Sequence, residues 1–433
     1  MESRLGAVAP WLLATYLIVP PLFKASLQPY APVDLTVLLA TPTAAVGGMW
    51  LLIERDHLDR RQLIALSLWL ALAALVIVGV SWAPNTGLAA RSAAYFVILA
   101  TVPLLASFPV AADGVRVRRF LLTFVAAGLI FVLISTIALF AGELGGRSVI
   151  GTNRLGVARA LLFVPLVGIP LLIWQRFGLR GWIFTAVASL AVVLAYATTS
   201  RAALLFFVAV GVVLALGSLA ISRHRRRVLI RVGALLLGTI VVFVALSGVL
   251  PERSGERFAG LLEAAGEALD EEPSVGLAPS PGDGGPDGEP EPAPARRPSS
   301  ITQRTALYRL ALVLFLEHPV IGSGTAGFEG SGSTSPAVEG HGYPHNLVLQ
   351  FASEFGLVGL ALLAAMGGTA LLNWRPNSTA AVALGALLAF LLLNSMLSNG
   401  LYEHRMLWGV WLVLLAQPVV GHRTASTAEP VAR

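Results

Sequence analysis

Apolar residues run along this chain in blocks too long for the alternation of a strand or for the single face of a water-soluble helix. Twelve such blocks fall near 6–23, 32–53, 63–83, 91–110, 119–141, 156–174, 181–199, 202–221, 228–249, 356–373, 378–396 and 404–420. A hydrocarbon layer takes a helix of about 20 apolar residues, so each block predicts a transmembrane helix. Pro20 and Pro21 close the first block, and no small-x-small cleavage site follows. It therefore reads as a retained helix, not a removed signal. The Thr198-Thr199-Ser200-Arg201 joint is the only punctuation between the seventh and eighth blocks.

Arginine placement gives the blocks a direction. With a cytoplasmic N-terminus, the inner loops hold Arg55, Arg60 and Arg61, then Arg116, Arg118 and Arg119, then Arg176 and Arg180, then Arg223, Arg225, Arg226, Arg227 and Arg231, and finally Arg375. The short outer loops hold far fewer, which is the bias expected of cytoplasmic loops, and it puts the segment 251–344 outside the membrane. The expected fold is an all-α integral membrane protein of about twelve transmembrane helices. Residues 1–249 carry helices one to nine, 250–355 form a large extracytoplasmic loop, and 356–433 carry helices ten to twelve and a cytoplasmic tail.

That loop is not uniform. The stretch 273–300, PSVGLAPSPGDGGPDGEPEPAPARRPSS, is rich in proline, glycine and acid and is expected to be disordered. Its acids, with Asp270, Glu271 and Glu272 before them, have no calcium-loop spacing and read as a solvated linker. Ser300-Ile-Thr-Gln303 then resembles a capping box and predicts a surface helix at about 302–318.

Composition agrees with the membrane class, at 56% apolar and 12% charged residues with a mean hydropathy of +0.77. Cysteine is absent, which excludes disulfides and thiolate chemistry. The net charge of +6 comes almost wholly from arginine, Lys24 being the only lysine. Its natural partners are anionic lipid or a phosphate-bearing substrate, ahead of nucleic acid.

Three places carry candidate chemistry. Gly322-Ser-Gly324-Thr-Ala-Gly327 has the spelling of a dinucleotide fingerprint but follows a helix, with no βαβ unit around it. It reads as a turn whose bare backbone approaches either a ligand phosphate or another loop. His341 and His345, in Gly340-His-Gly-Tyr343-Pro344-His-Asn346, sit just before a spanning block. An imidazole there can accept a proton from an attacking hydroxyl, or serve only as a helix cap or interfacial residue. Arg147, Arg154, Arg159, Arg201 and Arg304 fall at outer helix ends, where topology does not explain them, and Asp34, Glu143 and Glu403 are the nearest carboxylates. Guanidinium forks match phosphate oxygens, and several converging on a pyrophosphate would stabilise it as a leaving group; snorkelling to lipid phosphates is the competing reading.

Four segments resemble the O-antigen ligase and polymerase superfamily of bacterial membrane glycosyltransferases. They are TTSRAALL around Arg201; Arg304-Thr-Ala-Leu-Tyr308 with Glu317-His-Pro319-Val-Ile-Gly322-Ser-Gly324; Pro344-His345-Asn346 through Glu354-Phe-Gly356-Leu-Val-Gly359; and, more weakly, Gly151-Thr-Asn153-Arg154-Leu-Gly. The resemblance covers roughly residues 150 to 360. It implies a GT-C-like fold in the bacterial cytoplasmic membrane, with its site on the extracytoplasmic side. The implied reaction is a metal-independent, inverting transfer of glycan from undecaprenyl pyrophosphate to a glycan or glycolipid acceptor, with no cofactor. His345 would accept the acceptor's proton while Arg201 and Arg304 hold the departing pyrophosphate. Arg154, Arg159, Tyr308, His341 and Asn346 would bind substrate. Ligation to a lipid acceptor such as lipopolysaccharide, polymerisation of repeat units and transfer to protein remain open within the family. A twelve-helix transporter or flippase of lipid-linked glycans is the alternative from another class, although its usual related halves are not apparent here.

Overall fold

A computed structural model of the chain describes residues 2–31, 33–54, 58–144, 148–149, 152–173, 178–221, 225–251, 300–331, 342–397 and 401–418. All but the last residue of the stretch 273–300, together with Arg147 and His341, lie outside the described residues. The architecture is helical. Its helices are α1 (Glu2–Leu27), α2 (Leu35–Glu54), α3 (Arg60–Val78), α4 (Thr86–Ala111), α5 (Gly114–Phe140), α6 (Arg154–Ile173), α7 (Leu179–Ala197), α8 (Arg201–Ile221) and α9 (Arg225–Leu246). After the long connection come α10 (Ser300–Glu317), the single turn α11 (Gly327–Gly330), α12 (Leu347–Asn373), α13 (Thr379–Ser395) and α14 (Arg405–Leu415). A two-residue antiparallel ladder, Ser148↔Asn153 and Val149↔Thr152, leads into α6.

Among the described residues nine helices are long and apolar enough to cross a membrane, and three further apolar stretches, Arg201–Gly217, Thr379–Ser395 and Arg405–Leu415, are shorter. This is the architecture of a multi-pass integral membrane protein. Helix starts follow local chemistry: Asp59 and Gln62 form a reciprocal capping box on α3, Asn85 caps α4, and Ser378 caps α13. At the centre α6 is buried along most of its length against α5, α7 and α13, whereas α9 turns most of its apolar surface outward. An aromatic cluster joins α3, α4 and α14, with Trp69 stacked on Phe96 at 5.4 Å and Phe96 edge-on to Trp408 at 6.0 Å.

One element departs from the expected pattern. The tenth apolar block is the second half of a longer helix that starts at Leu347 and breaks at Gly356 (φ 60°, ψ −150°). Leu357 N–H donates to the Pro319 carbonyl (2.8 Å) and Val358 N–H to that of Val320 (3.1 Å), so the loop after α10 supplies the acceptors that the break removes. Ser323 and Gly324 N–H groups donate in turn to the carbonyls of Ser353 (2.8 Å) and Glu354 (2.9 Å). Gly322 and Gly324 both have positive φ, and a Cβ on Gly322 would lie 2.3 Å from Glu354 backbone. What the fingerprint-like glycines approach is therefore the chain itself, and not a ligand phosphate.

Candidate functional site

Arg154 opens α6, and its guanidinium donates to the Thr199 hydroxyl (3.1 Å) in the turn between α7 and α8. Thr199 sits at φ 62°, an unusual conformation for a β-branched residue, and Arg201 opens α8 two residues later. The joint is thus a true break between two helices, and it sets Arg154, Thr199 and Arg201 at one end of the bundle. Further along α6, Arg159 Nε donates to Asn394 Oδ1 (3.3 Å), near the end of α13. Arg304, in the second turn of α10, donates to the Leu397 carbonyl (3.5 Å) just beyond that same end. Two arginines distant in sequence thereby lean on one terminal turn.

The α12 entry closes the group. Asn346 Oδ1 accepts the Leu349 N–H (3.0 Å), so Asn346 is the cap, leaving its carboxamide nitrogen as the group available to a ligand. His345 is therefore not the cap; it sits at φ 55°, its ring edge-on to Tyr343 at 4.5 Å. Tyr343 lies within electrostatic reach of Arg159, which links the histidine to the arginine cluster. Tyr308 is half-buried one turn after Arg304, and α10 packs on α12 through Leu307, Phe328 and Leu349. Of the carboxylates flagged in the sequence, Asp34 is ion-paired with Lys24. Lys24's donated hydrogen bond holds the Asp34 carboxyl below the usual range. Among the described residues no three His, Asp or Glu side chains gather as metal ligands.

Sequence reasoning missed a buried polar network behind this rim. The Glu354 carboxyl is fully buried; it accepts Gln350 Nε2 (3.0 Å) and Ala326 N–H (3.2 Å), and it contacts the Tyr402 hydroxyl. Ala326 N–H also donates to Tyr402 Oη (2.8 Å), and Leu401 N–H to Gln350 Oε1 (2.8 Å). Burial, and then the neighbouring carboxyl, push the Tyr402 phenol well above its ordinary range. It stays protonated and donates to Glu354. The network ties together α12, the loop before α11 and the α13–α14 connection, three pieces that carry or flank the arginine and histidine candidates. Arg405, also missed, lies over the Tyr16 ring at 5.7 Å and donates to Thr36 Oγ1 (3.4 Å). A lone acid in an apolar helix and an arginine at a helix start were the available signals.

No curated protein matches the chain significantly. Residues 184–364 match the family model for O-antigen ligase, a stretch from α7 into α12 that includes Arg201, Arg304, Tyr308, His345, Asn346 and Glu354. Over that stretch the chain is similar to the O-antigen ligase family, which supports the O-antigen ligase/polymerase superfamily.

Proposed function

We propose that this protein transfers glycan from undecaprenyl pyrophosphate to an acceptor hydroxyl at the outer face of the bacterial cytoplasmic membrane, by ligation or by polymerisation. The family supports ligase- or polymerase-type glycosyl transfer in general terms, acting on a lipid-linked glycan and an acceptor. The observation that carries the finer reading is the gathering of Arg159 and Arg304 on the last turn of α13, beside Tyr343 and His345 and at the end of the bundle where Arg201 begins α8.

In this reading the His345 imidazole accepts the proton of the acceptor hydroxyl as that oxygen attacks the anomeric carbon. The bond from that carbon to the pyrophosphate oxygen breaks on the opposite face, which inverts the configuration. Arg201 and Arg304 stabilise the charge gathering on the departing pyrophosphate, a role that needs no divalent ion. Arg154, Arg159, Tyr308, His341 and Asn346 orient the substrates. The accompanying topology is twelve spans, with the segment 251–344 outside and a GT-C-like arrangement of loop over bundle.

The test uses purified protein in vesicles with a glycosylated lipid pyrophosphate and an acceptor. His345→Ala should abolish transfer while leaving membrane insertion unchanged, and near-normal product would remove His345 from its role. A transporter would leave the glycosidic bond intact in the same assay. The absence of native cysteine gives a clean background for single-cysteine labelling. Labelling of residues 345–356 from the cytosolic side would overturn the topology.

A further inference from the structure

The helix α10 carries more apolar surface than the protein covers. From Leu310 to Leu316 it reads LALVLFL, so about two turns are hydrocarbon on every side. A helix of that kind needs cover all round. One side has it: Leu307, Ala311 and Leu314 are buried with Phe328 in a small core that packs against Leu349 of α12. Among the described residues nothing covers the opposite side, where Leu312, Val313 and Leu316 are exposed, Leu316 at 72%. That side changes character along the axis. Its first turns present Thr305 and Arg309, and apolar residues take over from Leu312 onward.

The turn after α10 adds Val320 and Ile321, both exposed. Hydrogen bonds fix what lies beside them, because the Pro319 and Val320 carbonyls accept the N–H groups of Leu357 and Val358. Leu357 and Val358 are exposed too, and they begin the apolar part of α12, a helix long and apolar enough to cross a membrane. The uncovered end of α10 is thus continuous with the lipid-facing surface of a spanning helix, at the level where that helix enters hydrocarbon. We infer that α10 is an interfacial helix whose C-terminal part, with Val320 and Ile321, is sunk among the acyl chains of the leaflet that α12 meets first, while its first turns stand at the headgroups. Interfacial helices immerse their apolar face by about 5–10 Å. At that depth Glu317, about 100° round the helix from Leu316, still reaches headgroups and water. Arg304 lies about 18 Å along the axis from Leu316 at 1.5 Å per residue. Lipid contact at one end of this rigid element sets the height of Arg304 over the membrane surface, whether or not the protein transfers glycan.

With no native cysteine in the chain, a nitroxide can be placed at one site at a time. Leu316→Cys and Ile321→Cys report on the uncovered end of α10, Arg309→Cys on its polar start, and Leu237→Cys on the outward face of α9. Labelled full-length protein is reconstituted in vesicles of phosphatidylethanolamine and phosphatidylglycerol. Collision of each label is then measured with oxygen, which concentrates in hydrocarbon, and with a neutral nickel chelate, which stays in water. Labels at 316 and 321 should meet oxygen as the α9 label does, and should meet the chelate at least about fivefold less than the label at 309. Chelate collisions at the level of position 309 would put this end of α10 in water and overturn the inference. Exclusion of both reagents would mean that protein covers it, a second copy or another segment of this chain, and would overturn it equally.

Unmodified protein gives a second reading that no substitution can disturb. Phosphatidylglycerol with a diazirine on its acyl chain, mixed into the same vesicles, should label residues 312–321 along with the exposed face of α12 at Leu371 and Leu372. Labelling of α12 without any of 312–321 would overturn the immersion of α10.

Discussion

Gly356→Ala is the sharpest test of how the histidine segment is held. The residue has φ 60° and ψ −150°, a region that is essentially glycine's alone and costs other residues about 1–3 kcal/mol. A Cβ there would stand 2.6 Å from the carbonyl carbon and oxygen of Val320 and 2.7 Å from the Pro319 oxygen. These are backbone atoms, so no rotamer change relieves the overlap. Relief requires the loop to move away, stretching the bonds from Leu357 to Pro319 and from Val358 to Val320, each contributing about 0.5–1.5 kcal/mol. The sum is about 2–6 kcal/mol, a large part of the roughly 5–15 kcal/mol that holds a typical domain folded. Gly368→Ala is the matched control: it lies on the same helix with nothing within 4 Å of an added Cβ. By propensity it should gain up to about 1 kcal/mol. The assay is the fraction remaining monodisperse after heating in detergent, with transfer measured at a permissive temperature. Gly356→Ala should aggregate several degrees earlier. It should also lose about tenfold or more in transfer, because the turns that carry His345 and Asn346 pivot at this residue. A heating midpoint equal to that of Gly368→Ala would refute the strain argument.

Three further outcomes follow from the same geometry. Glu354→Ala strands Tyr402 Oη and Gln350 Nε2 at about 1–3 kcal/mol each, and Tyr402→Phe removes one shared contact; heating midpoints of the single and double variants should be strongly less than additive, and simple additivity would break the network. Asn394→Ala removes the acceptor that orients Arg159 and should raise the donor KM several-fold with kcat little changed; an unchanged KM would separate Arg159 from donor binding. Asp34→Asn should cost less than about 1 kcal/mol, since both partners of the Lys24 pair are 41% exposed. A carboxyl held below its usual range stabilises the fold above the unfolded value, near pH 4, and loses that effect only as pH falls through the lower folded value, so a wild-type to Asp34→Asn difference that changes between pH 6 and 8 would contradict the assignment.

Hydropathy made the helical membrane architecture readable, because burial in lipid demands long apolar runs whatever the tertiary contacts. It was less able to show where runs combine. The block expected at 356–373 belongs to a helix from Leu347 to Asn373, and the polar Gln350, Ser353 and Glu354 in its first turns hid it from an apolar average. These residues belong in a helix because each polar side chain finds a partner inside the protein, Gln350 at the Leu401 N–H, Ser353 at the Gln350 carbonyl and Glu354 at the Tyr402 hydroxyl. Such pairings cross up to 51 residues and leave no periodic trace. The glycines of 322–327 follow a helix with no βαβ unit around them, and only the fold says which backbone they approach. For the arginines, positions at helix ends were legible but their orienting groups were not, since Thr199, Asn394 and the Leu397 carbonyl are common polar groups with no signature of their own.

The choice of those orienting groups has an electrostatic consequence. A carboxylate partner would hold a guanidinium in place but cancel its charge, and a site built that way would offer an incoming anion little net attraction. Here Arg304 is held by a backbone carbonyl, and Arg201 has no hydrogen-bond or ion-pair partner among the described residues. A neutral oxygen orients the fork through one N–H and leaves its positive charge intact. In the proposed transfer, the cost of keeping such charge at the edge of an apolar bundle would fall when a diphosphate arrives, so part of the attraction for substrate would be the relief of the empty site's own electrostatic penalty. Placing a carboxylate beside Arg304, as in Leu397→Asp, would therefore weaken the site even though it strengthens the local contact.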